Sequence, residues 1–377
     1  MSDEHQDDPQ PNKEQWRRAW EQRALEDEVD QAERIIELKR MRAELHLDAR
    51  AVESELAELE GRGDWTTMVQ PLKALRWLHE APPPRRMLLE RDGKCVLPMG
   101  KVGFFVGEGG VGKTWALLQM AVAVTTGTTW FQHYRVPEES QGSVFLAMGE
   151  EDPEEMHRRI HEIVGHLGLA AHQLSELEQR LWPIPLAGHF VEFLTDGDRS
   201  FNHERFEQTL RQSAPDDGWK LVILDPASRF MGIDAEKDNA YATRFVQLLE
   251  QLTKLPGNPT VLCAHHTTKA ARSSQASGLR GVAARGASAL TDGARWQGNL
   301  TSATNAEGEL LEDMAVFRIT KSNYGPMPPA LYLQRKPGSG VLLPSLDPDD
   351  DAWTLAAAAS ASSSSSAAGS VFTFDDL

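Results

Sequence analysis

Cysteine is nearly absent: Cys95 and Cys263 are the only two in 377 residues. Thiols so few and so far apart exclude a disulfide-built scaffold and a Cys-based zinc site, and they suit a reducing compartment. Long apolar runs are missing too, since none approaches the roughly 18 residues that cross a bilayer. The opening residues Met1, Ser2, Asp3, Glu4 and His5 supply neither a basic n-region nor an apolar h-region, so a cytoplasmic protein is expected. Proline and glycine are missing from residues 12–60, acid is missing from 251–291, and base is missing from 346–377. Each of these three gaps marks a segment with its own character.

The formal net charge is −17, but it is unevenly spread. Residues 1–65 carry 19 acids and 10 bases, and residues 346–377 carry six Asp and no base. The middle of the chain is therefore close to neutral, and the overall acidity says little about what that middle binds. Residues 12–60 are rich in Ala, Leu, Glu, Arg, Lys and Gln, with apolar residues three and four apart (Val29, Ala32, Ile36; Val52, Leu56, Leu59). This pattern predicts a long helix or helical hairpin, either a solvated charged helix or a coiled-coil seam. A connector over 66–85 holds a short apolar helix from Leu72 to His79, stopped by Pro82, Pro83 and Pro84. The end of the chain, 346–377, runs from Asp-rich to Ala/Ser-rich and closes on Phe372, Thr373, Phe374, Asp375, Asp376 and Leu377. Such a composition cannot build a core and predicts a tether, either a solubilising end or a protein-docking tip.

Between 86 and 345 apolar strand-like runs (102–106, 143–148, 220–224, 260–264) alternate with helical patterns (113–126, 153–167, 203–213, 238–254). Fully apolar strands alternating with helices predict a mostly parallel sheet covered on both faces, an α/β fold. The later runs 315–321 and 330–334 have no long helix between them and predict antiparallel strands added at the end of the sheet.

The strongest local signal is Gly107, Glu108, Gly109, Gly110, Val111, Gly112, Lys113 and Thr114. It matches G-x-x-x-x-G-K-[ST] at every fixed position, follows an apolar strand, and opens an apolar helix at Trp115. Glycines let such a loop turn its N–H groups onto phosphate, and the helix N-terminus favours anions. Lys113 then offers a point charge and Thr114 a hydroxyl for Mg²⁺. Asp225 ends the apolar run 220–224, where it either joins the Mg²⁺ shell or caps the next turn. Glu150, Glu151 and Asp152 follow another strand: one of the glutamates can orient an attacking water, while Asp152 suits a helix start. His265 and His266 end the fourth strand, as a γ-phosphate reporter or as structural histidines. The acid-free stretch 251–291 holds Lys254, Lys269, Arg272, Arg280 and Arg285, which suits a nucleic-acid backbone or an acidic neighbour. Arg295, beside Trp296, has the chemistry of a finger that neutralises a phosphoryl in transfer, although a surface ion pair is the plainer reading.

Taken in order, these motifs resemble the RecA-fold P-loop ATPases (AAA family ATPases), and within them the RepA-like plasmid replicative helicases. The resemblance spans about 86–345. Beyond the P-loop it rests on residues 149–153, 224–230 and 265–269, on Ala294, Arg295, Trp296 and Gln297, and on Lys321, Ser322, Asn323, Tyr324 and Gly325. It implies a homohexameric ring with ATP and Mg²⁺ between subunits and single-stranded DNA in the channel. The roles it implies are phosphate and Mg²⁺ binding for Lys113 and Thr114, water activation for Glu151 or its neighbour Glu150, and Mg²⁺ binding for Asp225. His266 would sense the γ-phosphate, Arg295 and Lys321 would reach across the interface, and 268–285 would face the channel with Lys269, Arg272, Arg280 and Arg285. A non-unwinding loader and an ATP-driven switch without nucleic acid stay open as rivals. The acidic helix and acidic tail depart from a compact single-domain helicase.

Overall fold

The computed structural model describes residues 69–194, 201–232, 239–266, 288–305 and 307–348. The helical segment expected over 12–60, the basic residues Lys269, Arg272, Arg280 and Arg285, and the tail from 349 onward lie outside the described residues. The chain divides into two units, Met1–Pro84 and Arg85–Leu377. In the first, the helix expected from Leu72 to His79 is only α1 (Leu72–Leu75); it stops at Arg76, which takes a left-handed conformation with φ 57°.

The second unit opens with an antiparallel hairpin, β1 (Met87–Arg91) and β2 (Lys94–Pro98). The main sheet comprises β3 (Val102–Gly107), β4 (Ser143–Met148), β5 (Leu181–Pro185), β6 (Trp219–Asp225), β7 (Thr260–His266), β8 (Trp296–Thr304), β9 (Leu310–Ser322), β10 (Leu331–Arg335) and β11 (Leu342–Ser345). Its order is β11-β10-β9-β8-β3-β7-β6-β4-β5. The six strands from β8 to β5 are parallel, and β9, β10 and β11 continue the sheet antiparallel. The helices are α2 (Lys113–Thr126), α3 (Pro153–Leu167), α4 (Ala171–Arg180), α5 (Phe201–Gln212), α6 (Ser228–Met231), α7 (Asn239–Leu252) and α8 (Ser288–Gly293). Among the described residues no helix is long and apolar enough to cross a membrane.

The apolar strands are apolar because both faces of the sheet are covered. Along β4, Val144, Leu146 and Met148 pack into one core, and Phe145 and Ala147 into the other. The same period of two splits Leu221 and Ile223 from Val222 and Leu224 in β6. The first core takes α2, α3 and the β1–β2 hairpin, with Trp130, Phe131, Tyr134 and Phe317 clustered at its centre. The second takes α5, α6 and α7. Three wholly buried indoles anchor these layers, each N–H donating to a carbonyl: Trp130 to Ala116 (2.9 Å), Trp219 to Leu210 (2.8 Å) and Trp296 to Val96 (2.9 Å). A buried indole left without an acceptor would lose on the order of 1–3 kcal/mol, so these bonds fix register as well as packing.

Parallel alignment brings the carboxyl ends of β3, β4, β6 and β7 to one edge of the sheet. From β3 the chain crosses to β4 on one side and later returns as β8 on the other. The change of direction at β3 opens a crevice at that edge, where ligands of open α/β sheets collect.

Candidate nucleotide site

Gly107 is the last residue of β3, and a Cβ there would stand 2.4 Å from the Leu300 carbonyl oxygen of β8, so only glycine fits. The loop then turns through Gly110 (φ 79°) and Gly112 (φ 105°), conformations that L side chains rarely adopt. Gly112 also caps α2, without a side-chain cap and with no acid in the first turn. The first N–H groups of a 14-residue helix are thus directed at whatever anion enters the loop.

Lys113 is buried. Its Nζ donates to the carbonyls of Gly107 (3.0 Å) and Glu108 (2.6 Å) and lies 3.3 Å from His266 Nδ1. Burial pulls its pKa down to about 8, opposed by the charges of Asp225, Glu150 and Glu108. Thr114 Oγ1 donates to Asp225 Oδ2 at 2.8 Å. Burial pushes Asp225 up to about 6; the Thr114 hydrogen bond and Lys113 pull it down, and Glu150 and Glu151 push it further up. A carboxylate pressed by two others beside a hydroxyl is a place that gains from a hard cation. Among the described residues no three His, Cys, Asp or Glu form a metal cage. Thr114 and Asp225 instead fit Mg²⁺ as it is held with a polyphosphate, where most of the shell is water and phosphate oxygen.

The acidic run after β4 divides its labour. Asp152 caps α3, its Oδ1 accepting from the Glu155 N–H at 2.7 Å with Pro153 in the first turn. Glu151 is largely buried and paired with Arg159 at 2.7 Å, and Arg159 also pairs with Glu155 at 2.8 Å. The Arg159 guanidinium lies 5.5 Å from the ring centroid of Trp115, so one arginine ties the acidic run to the first turn of α2. Glu150 is about half exposed, 3.5 Å from Arg229. Leu186 and Ala187, after β5, donate to the carbonyls of Met148 (2.8 Å) and Glu151 (3.3 Å) and brace this segment from behind.

The two histidines have different surroundings. His265 is buried edge-on against Phe104, and His266 meets the Lys113 amine. Arg295 and Lys321 are brought together, but elsewhere. Gly103 of β3 pairs with Trp296 and Gly107 with Leu300, so Arg295 sits at the amino end of β3. Four strand residues, roughly 13 Å of rise, separate that level from the P-loop. There Lys321 Nζ donates to the Asp292 carbonyl at 2.9 Å, and the Arg295 N–H donates to the Val102 carbonyl at 3.0 Å.

Arg335 and the hairpin between β10 and β11 also border the P-loop, and no motif announces them. Arg335 Nη2 donates to the Gly110 carbonyl at 3.2 Å. A Cβ on Gly340 would come within 1.9 Å of Trp115, so this hairpin lies directly on the start of α2. Trp115, Glu162, Asp313, Arg335 and residues 336–340 surround a cavity of about 410 Å³. The glycine-rich run Gly338, Ser339, Gly340 was the only sequence hint of so close a contact.

The sequence pattern of the AAA domain matches residues 66–272. Three solved structures are matched at low similarity. One is an ATPase domain, 14% identical with a TM-score of 0.45, covering 66% of this chain and 85% of that one. The RadB recombinase is 15% identical with a TM-score of 0.41, covering 63% and 88%. A KaiC-like protein from Pyrococcus horikoshii OT3 is 12% identical with a TM-score of 0.42, covering 70% and 100%. The AAA-domain match takes in the P-loop, the Thr114–Asp225 pair and the acidic run after β4, and the chain belongs to that family, as a P-loop ATPase with a RecA-like core.

Proposed function

We propose that this ATPase is a ring-forming motor, a RepA-like hexameric helicase that uses ATP to move along single-stranded DNA. The observation that carries the reading is the position of Arg295 and Lys321, on the sheet edge opposite Lys113. A second copy docked edge to edge brings this pair of cations to the P-loop, and transfer of a phosphoryl group calls for such a charge.

In this mechanism the loop N–H groups and the Lys113 amine leave their resting contacts for the β- and γ-phosphates. Thr114 and Asp225 would hold Mg²⁺, which would supply charge neutralisation to the phosphates. Glu151 accepts the proton of the attacking water as its oxygen bonds to the γ-phosphorus and the bridging oxygen departs with ADP. We assign this role to Glu151 rather than Glu150 because Arg159 and the braced backbone hold it in one orientation, and a positioned base outperforms a mobile one. Arg295 of the partner subunit offsets the charge spreading over the phosphoryl oxygens. His266, in contact with Lys113, senses the γ-phosphate and passes its presence to residues 267–287, which hold Lys269, Arg272, Arg280 and Arg285.

ATP turnover with and without single-stranded DNA, at low and high salt, tests the reading together with strand displacement on a forked duplex. The expected result is DNA-stimulated turnover that weakens as salt rises, with strands separated. Stimulation without strand separation would mean a loader. Turnover indifferent to both DNA and salt would mean a switch that needs no nucleic acid.

A further inference from the structure

The edge opposite the P-loop carries more positive charge than Arg295 and Lys321 supply. Tyr324, two residues beyond β9, lies under the Arg85 guanidinium at 4.4 Å and near the Lys101 amine at 5.6 Å. The N–H of Asn323 donates to the Arg295 carbonyl at 3.3 Å, which joins the two groups into one patch. Arg85, Lys101 and Arg295 make no ion pair with any described residue. Lys321 holds its charge less readily than a free lysine, chiefly through burial and in part through Arg295. Arg85 and Lys101 share one ring, and Arg295 and Lys321 lie beside it, so these cations repel one another and gain from an anionic partner.

The same unit contains a segment of matching charge. Residues 349–377 carry five Asp, three of them consecutive at Asp349, Asp350 and Asp351, and no Lys or Arg. Residues 1–65 are also acidic but hold 10 bases, so they complement the patch less well. Register shows the distance to be covered. Ser345 of β11 stands at the level of Tyr332, Val316 and Thr301, and β11 runs toward the cationic edge. The edge lies five residues lower, at Trp296 paired with Ser322, about 17 Å away, and β9 is two strand spacings across, about 10 Å. Pro348 is buried in a turn, so Asp351 stops short of a full extension of about 20 Å, but Asp375 and Asp376 lie 24 and 25 residues further along and reach Lys321 with chain to spare.

We propose that the Asp-rich C-terminal segment of this same chain docks on the cationic edge formed by Arg85 and Lys101 over Tyr324 and by Arg295 and Lys321 beside it. Docked there, it occupies the surface that a second copy needs, so it restrains assembly until a competing polyanion displaces it. This consequence rests on the function proposed above; the contact itself does not.

Carbodiimide coupling of carboxylates to amines in the full-length protein tests the contact without any turnover, and an equal mixture of ordinary and ¹⁵N-labelled chains separates coupling within a chain from coupling between chains. The expected product joins Lys101 or Lys321 to Asp349–Asp351 or to Asp375 and Asp376 of the same chain. Coupling of these lysines to residues 1–65, coupling only between chains, or none while other acid–lysine pairs couple would overturn the proposal. Sedimentation tests the consequence: deleting 349–377, and separately replacing Asp349, Asp350, Asp351, Asp375 and Asp376 by Asn, should each promote self-association in low salt several-fold, because both leave the cationic edge intact. Self-association unchanged in both would overturn the restraint, even with ATP turnover intact.

Discussion

Asp225 is buried, and burial moves its pKa from 3.8 to about 6. The folded state therefore favours the protonated carboxyl. The stability it gains from that proton is complete below the unfolded value and lost as pH rises through about 6. At pH 8 the ionised side chain costs on the order of 3 kcal/mol relative to its cost in the unfolded chain. Asp225→Asn, which can still accept from Thr114, should raise the melting temperature of the nucleotide-free protein at pH 8. The gap should narrow as pH falls through 6 and close near about pH 4, and thermal melts across that range check it. Part of the gain is lost because Asp225 supports the charge of Lys113. Turnover of the same variant should fall to background, since a neutral amide no longer binds Mg²⁺ as a carboxylate does. The acidic run gives a second test at this scale. Glu151→Gln should lower kcat by about 10²–10⁴-fold, as loss of a general base does, while Glu150→Gln should cost far less. Steady-state kinetics that ranked the two the other way would move the role to Glu150.

Among the elements, the hairpin between β10 and β11 shows how the site depends on structure remote in sequence. Gln119, buried in α2, donates from Nε2 to the Leu342 carbonyl (2.9 Å) and accepts from the Leu342 N–H (3.0 Å). This side chain takes the place of a strand partner for the outermost strand and fixes β11 beside the P-loop. Gln119→Leu should destabilise the fold by about 2–3 kcal/mol, because two buried backbone groups lose their partners together; a denaturant midpoint reads this. No sequence period reports such a bond, which is why β11 was not expected and why the cavity under Gly340 was invisible. Elements with strong internal signals were legible: the four apolar strands, the helix at 113–126, and the start of α3 at Asp152 and Pro153. Those that depend on neighbours were not. β5 (Leu181–Pro185) contains two prolines and forms only because it borders β4 as the outermost strand. The β1–β2 hairpin turns at Asp92 (φ 52°) and Gly93 (φ 73°), a D-G signal that could have been read. Within the site, the motifs single out Lys113, Thr114, Asp225 and His266, and the fold pairs Lys113 with His266 and Thr114 with Asp225. Arg159 and Arg335 were not, because each acts through a contact made only after folding.

For the molecule as a whole, register carries an argument that no single side chain does. β8 is parallel to β3, so a residue preceding β8 lies at the amino end of β3 while the P-loop lies at its carboxyl end. Arg295 therefore cannot reach the phosphates held by Lys113 of its own chain unless the sheet comes apart, and a sheet this thoroughly buried does not. If Arg295 takes part in hydrolysis at all, it does so in another copy. A subunit lacking Lys113 can still lend its Arg295, and a subunit lacking Arg295 still has Lys113. Lys113→Ala and Arg295→Ala proteins should each be inactive alone. Mixed, they should recover a fraction of wild-type ATP turnover that peaks near equal proportions, because only interfaces pairing an intact loop with an intact finger are complete. Recovery should require assembly and disappear on dilution below the association concentration. If Arg295→Ala alone kept full turnover, or if no mixing ratio restored any, the edge-to-edge arrangement would fail and the ring would fail with it.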